Sequence, residues 1–266
     1  MKLKFTPYLC LFIFIGLMSC SKEKSAEPDN QPPEPNPAAS GLLSGWRQGT
    51  TTQDDTLFTI TYDDKKRIKN VNNTSDRDEF IASYDNADNL IEIAENYRGD
   101  TSEMMTFKYN ANNQLIEADH HLFGHPNRFL YEYTNGVLSK KSYYTITNLN
   151  EPNTLNLWRY FTYEITNGNV THRKEYNSAG ELQAEVSYTY TTNANIFQPL
   201  SLLNYINNLG LDGVANDESL INKNMPESSS ENGKKTTYTY SYNNNKQITG
   251  FLVNTPYGVF TRTLSY

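Results

Sequence analysis

Residues 105–115 read MTFKYNANNQL, and two earlier stretches repeat their plan: FTITYDDKKRI at 58–68 and FIASYDNADNL at 80–90. Met105, Phe107 and Tyr109 fall on alternate positions, so they share one face of an extended strand, while Thr106 and Lys108 share the other. Residues 110–114 are rich in Asn, which tolerates positive φ and closes hairpins. Leu115 then opens a return strand. Each stretch therefore reads as a β-hairpin with one apolar and one polar face.

Working outward, the same pattern recurs at Phe129, Tyr131, Tyr133 leading to Leu138, and at Arg159, Phe161, Tyr163 leading to Val170. It continues with Val186, Tyr188, Tyr190 to Ile196, and Tyr238, Tyr240, Tyr242 to Ile248. Arg262, Leu264 and Tyr266 supply a last strand with no return. The Tyr-to-aliphatic interval is six residues in five of the seven complete units, five at Tyr133 and seven at Tyr163. A lone hairpin is marginally stable in water, so successive hairpins must pair edge to edge. The prediction is an all-β fold over 45–266: an antiparallel meander of Tyr-containing hairpins forming a curled open sheet or half-barrel. One helical segment is expected to be inserted at about 198–235, where Leu200, Leu203 and Ile206 have helical spacing and Gly210 is a C-cap candidate. Residues 222–226 are expected to form an irregular loop after it.

The N-terminus reads as an address. Lys2 and Lys4 precede an apolar run from Tyr8 to Met18, about half of the roughly 20 residues a spanning helix needs. Leu17, Met18, Ser19 and Cys20 follow, and this quartet resembles the lipobox of bacterial lipoproteins. The resemblance implies a signal peptide over 1–19, cleavage before Cys20 and acylation of Cys20. Ser21, Lys22, Glu23 and Lys24 partly resemble the signal that exports Bacteroidota-type lipoproteins to the cell surface. Residues 20–44 form a tether containing Pro28, Pro32, Pro33, Pro35 and Pro37. Its 20 residues from 21 to 40 reach roughly 60 Å at about 3.1 Å per residue in polyproline II. Cys10 leaves with the signal and Cys20 carries lipid, so the mature chain has no thiol for a disulfide, a zinc site or a nucleophile.

A family resemblance rests on the repeats. Tyr62 with Asp63, Tyr84 with Asp85 and Tyr109 with Asn110, each followed by an aliphatic residue, resemble the YD repeats of Rhs-type proteins. Together with the lipobox and Lys223, Asn224, Met225, Pro226, they resemble a family of uncharacterised Bacteroidota lipoproteins whose domain is described as porin-like. The resemblance spans about residues 45–266 and implies a curled or open-barrel meander, with no activity attached. The D-x-x-G-R form of true Rhs repeats is absent, which argues against a toxin-encapsulating shell.

Composition narrows the function. There are 23 Lys plus Arg against 30 Asp plus Glu and no basic block, so no nucleic-acid partner is expected. Removal of Lys2 and Lys4 with the signal takes the net charge from −7 to −9, leaving membrane attachment to the lipid. Faces opposite the Tyr stripe carry Thr59, Thr61, Ser83, Lys108, Glu132, Thr189, Thr239 and Ser241, which suit water rather than bilayer.

Glu117, Asp119, His120, His121 and His125 form the first metal candidate, yet they compose no closed ligand set and read as exposed turn histidines. The acidic groups at Asp63, Asp85 and Asp212 lack the calcium-loop spacing and read as solvated turn residues. No nucleophile elbow, P-loop or dinucleotide fingerprint occurs, so neither catalysis nor a cofactor is expected. Trp158 and Tyr160 fall on one face of a strand opposite Phe161 and Tyr163. That makes them the candidate ligand-binding pair, for stacking on a sugar ring. The alternative for Trp158 is packing beneath the inserted helix or the Trp46 segment. Asp55, Thr56 and Leu57 match a short O-glycosylation pattern of Bacteroidota. The expectation is a lipid-anchored outer-membrane lipoprotein, on the periplasmic face or the cell surface, that binds glycan or an envelope protein without catalysis. The alternative is a carrier or chaperone holding a lipid or hydrophobic peptide in a half-barrel.

Overall fold

The computed structural model describes residues 41–50, 53–74, 78–121, 126–146, 154–197 and 221–266, with only the backbone described at 48–50, 53–56, 78 and 101–104. The first eight strands are β1 (Gly45–Thr50), β2 (Gln53–Tyr62), β3 (Ile68–Asn73), β4 (Asp78–Tyr84), β5 (Leu90–Tyr97), β6 (Asp100–Tyr109), β7 (Leu115–His120) and β8 (Asn127–Thr134). The second eight are β9 (Val137–Ile146), β10 (Leu155–Thr166), β11 (Asn169–Asn177), β12 (Leu182–Ala194), β13 (Asn224–Glu231), β14 (Lys234–Tyr242), β15 (Ile248–Thr255) and β16 (Gly258–Ser265). Each pairs with its chain neighbour, and β1 pairs with β16, so the described residues form a closed antiparallel barrel of sixteen strands.

Closure corrects the expected open sheet. The strand expected to have no partner after it, β16, sets Leu264 beside Trp46, and β1 sets Trp46 beside Phe58 on its other edge. The Trp46 and Phe58 rings stack at 4.6 Å. The GWRQGT segment thus satisfies two sheet edges that an open meander would leave unpaired. No helix occurs among the described residues, which also corrects the expected insertion. Its candidate core, Leu200 to Gly210, lies outside them, whereas 224–235 is β13, a turn and the start of β14. Residues 222–226 are tightly held rather than irregular: Asn222 Oδ1 accepts from Val170 N–H at 2.8 Å, and Met225 is buried.

The repeat has a physical explanation in tyrosine hydroxyls. Tyr84 donates to the Ile68 carbonyl (2.8 Å), Tyr109 to Leu90 (2.9 Å), Tyr133 to Leu115 (2.9 Å), Tyr190 to Val170 (2.7 Å) and Tyr266 to Ile248 (2.8 Å). Each bond latches a hairpin to the aliphatic residue of the previous one. Tyr62 does the same to Leu43, a residue expected in the tether that instead packs into the core. A neutral hydrogen bond contributes about 1 kcal/mol, so these latches act collectively.

At the turns that follow, Asp63, Asp85, Asn110 and Asn243 accept at Oδ1 from the amides two and four residues on. Lys66, Asp88, Asn113 and Lys246 take the positive φ there. Where the interval is shorter, Asn135–Gly136 makes a two-residue turn with both φ positive. The register shifts by one residue beside each Tyr, as at Thr61/Tyr62, Ser83/Tyr84 and Lys108/Tyr109. Such bulges place the first and fourth residues of the return strand on the same face, as with Ile68 and Val71 or Leu90 and Ile93, all buried.

The Tyr stripes line the interior, and the opposite faces form the outer wall. Inside, Trp46, Val71, Ala118, Val170, Phe197 and Met225 have no exposed surface, so the lumen is a core rather than an aqueous channel. Outside, Glu132, Lys140, Thr162, Lys174 and Glu185 are successive cross-strand neighbours. Lys140 pairs with Glu132 at 2.8 Å, and Arg128 pairs with Asp119 at 2.6 Å.

The latches predict alkaline unfolding. Burial pushes Tyr62 and Tyr84 up to about 12 from 10.0, and it raises Tyr109, Tyr133, Tyr266 and Tyr240, whose hydroxyl donates to the Pro226 carbonyl at 2.5 Å, as well. Because the folded values lie above the unfolded ones, this stability is complete below pH 10 and is lost as pH climbs toward 12. Tyrosinate absorbance of this latched group should rise in step with loss of the β-sheet circular dichroism. Ionisation of these tyrosines in a sheet that stays intact would contradict the latch.

Candidate functional site

The repeat changes in the fifth unit. In the fifth unit the register aligns Ile165, not Tyr163, with Val170, across the two-residue turn Asn167–Gly168. This explains the seven-residue interval at Tyr163: the residue at the latch position is an isoleucine. Ile165 has no hydroxyl to reach the Leu138 carbonyl, and its side chain is shorter than the ring it replaces.

A cavity of about 640 Å³ opens at that position. Leu115, Leu138, Ile165 and Ile221 give it aliphatic walls, and Tyr109, Tyr131 and Tyr133 add ring faces. Asn113, Gln114 and Asn167 stand at its lip among the turns. The size falls within the roughly 300–1,000 Å³ of small-molecule sites. Burial and polarity suit the apolar body of a ligand whose polar end stays at the lip. Sequence reading missed this site, although the irregular interval at Tyr163 was its visible trace.

The other mouth holds a different chemistry. Phe161 has the Arg159 and Arg173 guanidiniums at 5.5 and 5.4 Å from its ring centroid, and Arg159 binds Glu175 at 2.9 Å. Lys141, 2% exposed, lies 4.3 Å from the Phe129 ring centroid. Cation–π contacts of this kind let charged heads sit among aromatic rings.

The structure does not bring Trp158 and Tyr160 together. A register shift between Leu157 and Arg159 makes Trp158 the extra residue of a bulge. Its ring, half-exposed, meets Tyr143 edge-on at 4.8 Å, and Tyr143 stacks on Phe129 at the inner face. Tyr160 instead stacks on Tyr176 at 4.9 Å, below Lys140, on the outer wall.

The histidine group does not converge either. Asp119 faces outward to Arg128, whereas His120 faces inward and is buried, which corrects its reading as an exposed turn residue. Burial, with a smaller contribution from His121, pushes the His120 imidazole down to about 4. Among the described residues no group of three metal-ligating side chains occurs. His125 and Cys20 lie outside the described residues, as does the side chain of Thr56. Asp63 and Asp85 are the turn-closing acceptors described above. The Arg67 guanidinium holds Asp63 below the usual carboxylate range, and amide donors from Asn89 do so for Asp85.

Two solved structures share this architecture. A porin-like protein from Bacteroides vulgatus aligns over 85% of this chain and 98% of its own, with a TM-score of 0.53 at 10% identity. A porin-like protein from Bacteroides uniformis aligns over 84% and 97%, with a TM-score of 0.51 at 12% identity. At these identities the likeness is one of fold. No family model matches the chain, and no curated protein matches it.

Proposed function

We propose that the chain is a lipid-anchored, non-catalytic binding barrel of the bacterial cell envelope that holds a small amphipathic ligand in the cavity beside Ile165. The reading rests on polarity: the outer wall is charged, the inward Arg159, Arg173 and Glu175 lie toward the other mouth, and the recess beside Ile165 is walled by aliphatic side chains and rings where a tyrosine is missing. A transmembrane porin needs the reverse arrangement. The lipobox-like quartet ending in Cys20 and the Pro-rich tether support attachment to the membrane by lipid rather than by insertion. The two barrels of matching fold come from Bacteroides, which agrees with the envelope placement.

The test uses 1-N-phenylnaphthylamine as a fluorescent apolar probe and palmitate as its competitor. Saturable binding of one probe per chain, displaced by palmitate, is expected. Ile165→Tyr should fill the recess and supply the missing latch. It is expected to weaken binding by at least about tenfold while raising stability by about 1 kcal/mol. No saturable binding, or binding indifferent to Ile165→Tyr, would remove the proposal.

A further inference from the structure

A second recess, of about 370 Å³, opens at the opposite mouth between β12 and β15. Its origin lies in side-chain size. Tyr188, Ser229 and Thr236 are cross-strand neighbours on β12, β13 and β14, and Tyr238 follows two residues after Thr236 on the same inner face. Ser229 and Thr236 are too short to fill the space between the Tyr188 and Tyr238 rings. At the lip, Lys234 donates to the Tyr257 hydroxyl at 2.8 Å, and Tyr257 is 80% exposed. Glu231 is the cross-strand neighbour of Lys234 in the same hairpin, and Arg173 also lines the recess, so two cationic groups and one anionic group border it.

We propose that this recess binds a sugar residue, a neutral hexose or N-acetylhexosamine presented at the end of a glycan. A sugar ring offers an apolar C–H face and a rim of hydroxyls that both donate and accept. Tyr188 supplies aromatic surface for the first, above a floor that includes the buried Tyr238. Ser229, Thr236 and the Glu231–Lys234 pair supply donors and acceptors for the second. A hydrocarbon chain would leave those polar groups desolvated and unmatched, which costs more than its burial returns. This site is independent of the apolar cavity beside Ile165: it lies at the other mouth and shares no lining residue with it.

Saturation-transfer NMR on the full chain tests it with glucose, galactose, mannose, N-acetylglucosamine and glucuronate as separate probes. Transfer to the ring C–H protons of at least one neutral sugar is expected. Ser229→Phe, which fills the recess, should abolish that transfer. Tyr257→Ala, at an exposed position that the fold does not need, should weaken it several-fold. Transfer from no sugar, or from glucuronate alone, overturns the proposal. So does transfer that survives both variants, or that is lost instead on Trp158→Ala.

Discussion

Gly45→Ala is expected to lower the melting temperature by about 10 °C or to prevent folding, on a loss of roughly 3–4 kcal/mol. Gly45 begins β1 at the seam where the barrel closes, paired with Ser265 on one side and Thr59 on the other. A Cβ there would run into the Phe58 carbonyl oxygen and stand 3.3 Å from the Thr59 Cα. Both are backbone atoms, so neither can swing aside as a flexible side chain would. Relief requires β1 to move away from β2. That movement strains the Ile60 N–H to Ser44 bond at 2.7 Å and unstacks Trp46 from Phe58.

The comparison variant is Gly136→Ala. Its φ of +79° penalises a side chain, but nothing lies within 4 Å of the added carbon. The cost should be limited to about 1–2 kcal/mol of backbone strain. Circular dichroism melts of both variants check the pair. A Gly45→Ala barrel melting within a degree of the parent would mean that β1 does not close the seam.

The hairpins were legible because their cause is local. Tyr109 and Leu115 announce a strand, a turn and a return within eleven residues, and the structure adds only that the Tyr hydroxyl reaches the previous hairpin. Closure was not legible, because it depends on residues more than 200 positions apart. Nothing in GWRQGT distinguishes pairing with one neighbour from pairing with two.

The bulges explain the other differences. Period-two reasoning placed Trp158 and Tyr160 on one face, and a single extra residue at 158 separated them. A trace of bulging was nevertheless present in the return strands. Ile68 and Val71, Leu90 and Ile93, Ile248 and Phe251 are three residues apart, a spacing that unbroken alternation would send to opposite faces. The cavity is legible only once the latch is known, since it is marked by what Ile165 lacks. His120 illustrates the reverse limit: a histidine beside an acidic residue reads as polar surface, and only the strand register turns it inward.

On the proposed lipid anchor, Cys20→Ser is expected to convert the protein from membrane-bound to freely soluble. The argument runs through the outer wall. Lys108, Arg128, Lys140 and Lys174 stand on it with Glu117, Asp119, Glu132 and Glu185, joined by ion pairs that include Arg128–Asp119 at 2.6 Å and Lys140–Glu132 at 2.8 Å. Placing Lys or Arg on the lipid face of a barrel costs roughly 2–4 kcal/mol each at the bilayer midplane. Among the described residues the exposed aliphatic side chains on strands, Ile91, Ile116, Val137, Leu182, Leu252 and Val259, stand one to a strand on six strands. Electrostatic attraction is no substitute for a lipid anchor either: the full chain has a net charge of −7, cleavage before Cys20 would make it −9, and phospholipid surfaces are commonly anionic. With the thiol removed, every remaining term favours water. In detergent-phase separation the parent should enter the detergent phase and the Cys20→Ser variant the aqueous phase almost completely, with an unchanged β-sheet spectrum. A variant that stays with the membrane through a high-salt wash would mean that the wall itself meets lipid, and the binding-barrel reading would fall with it.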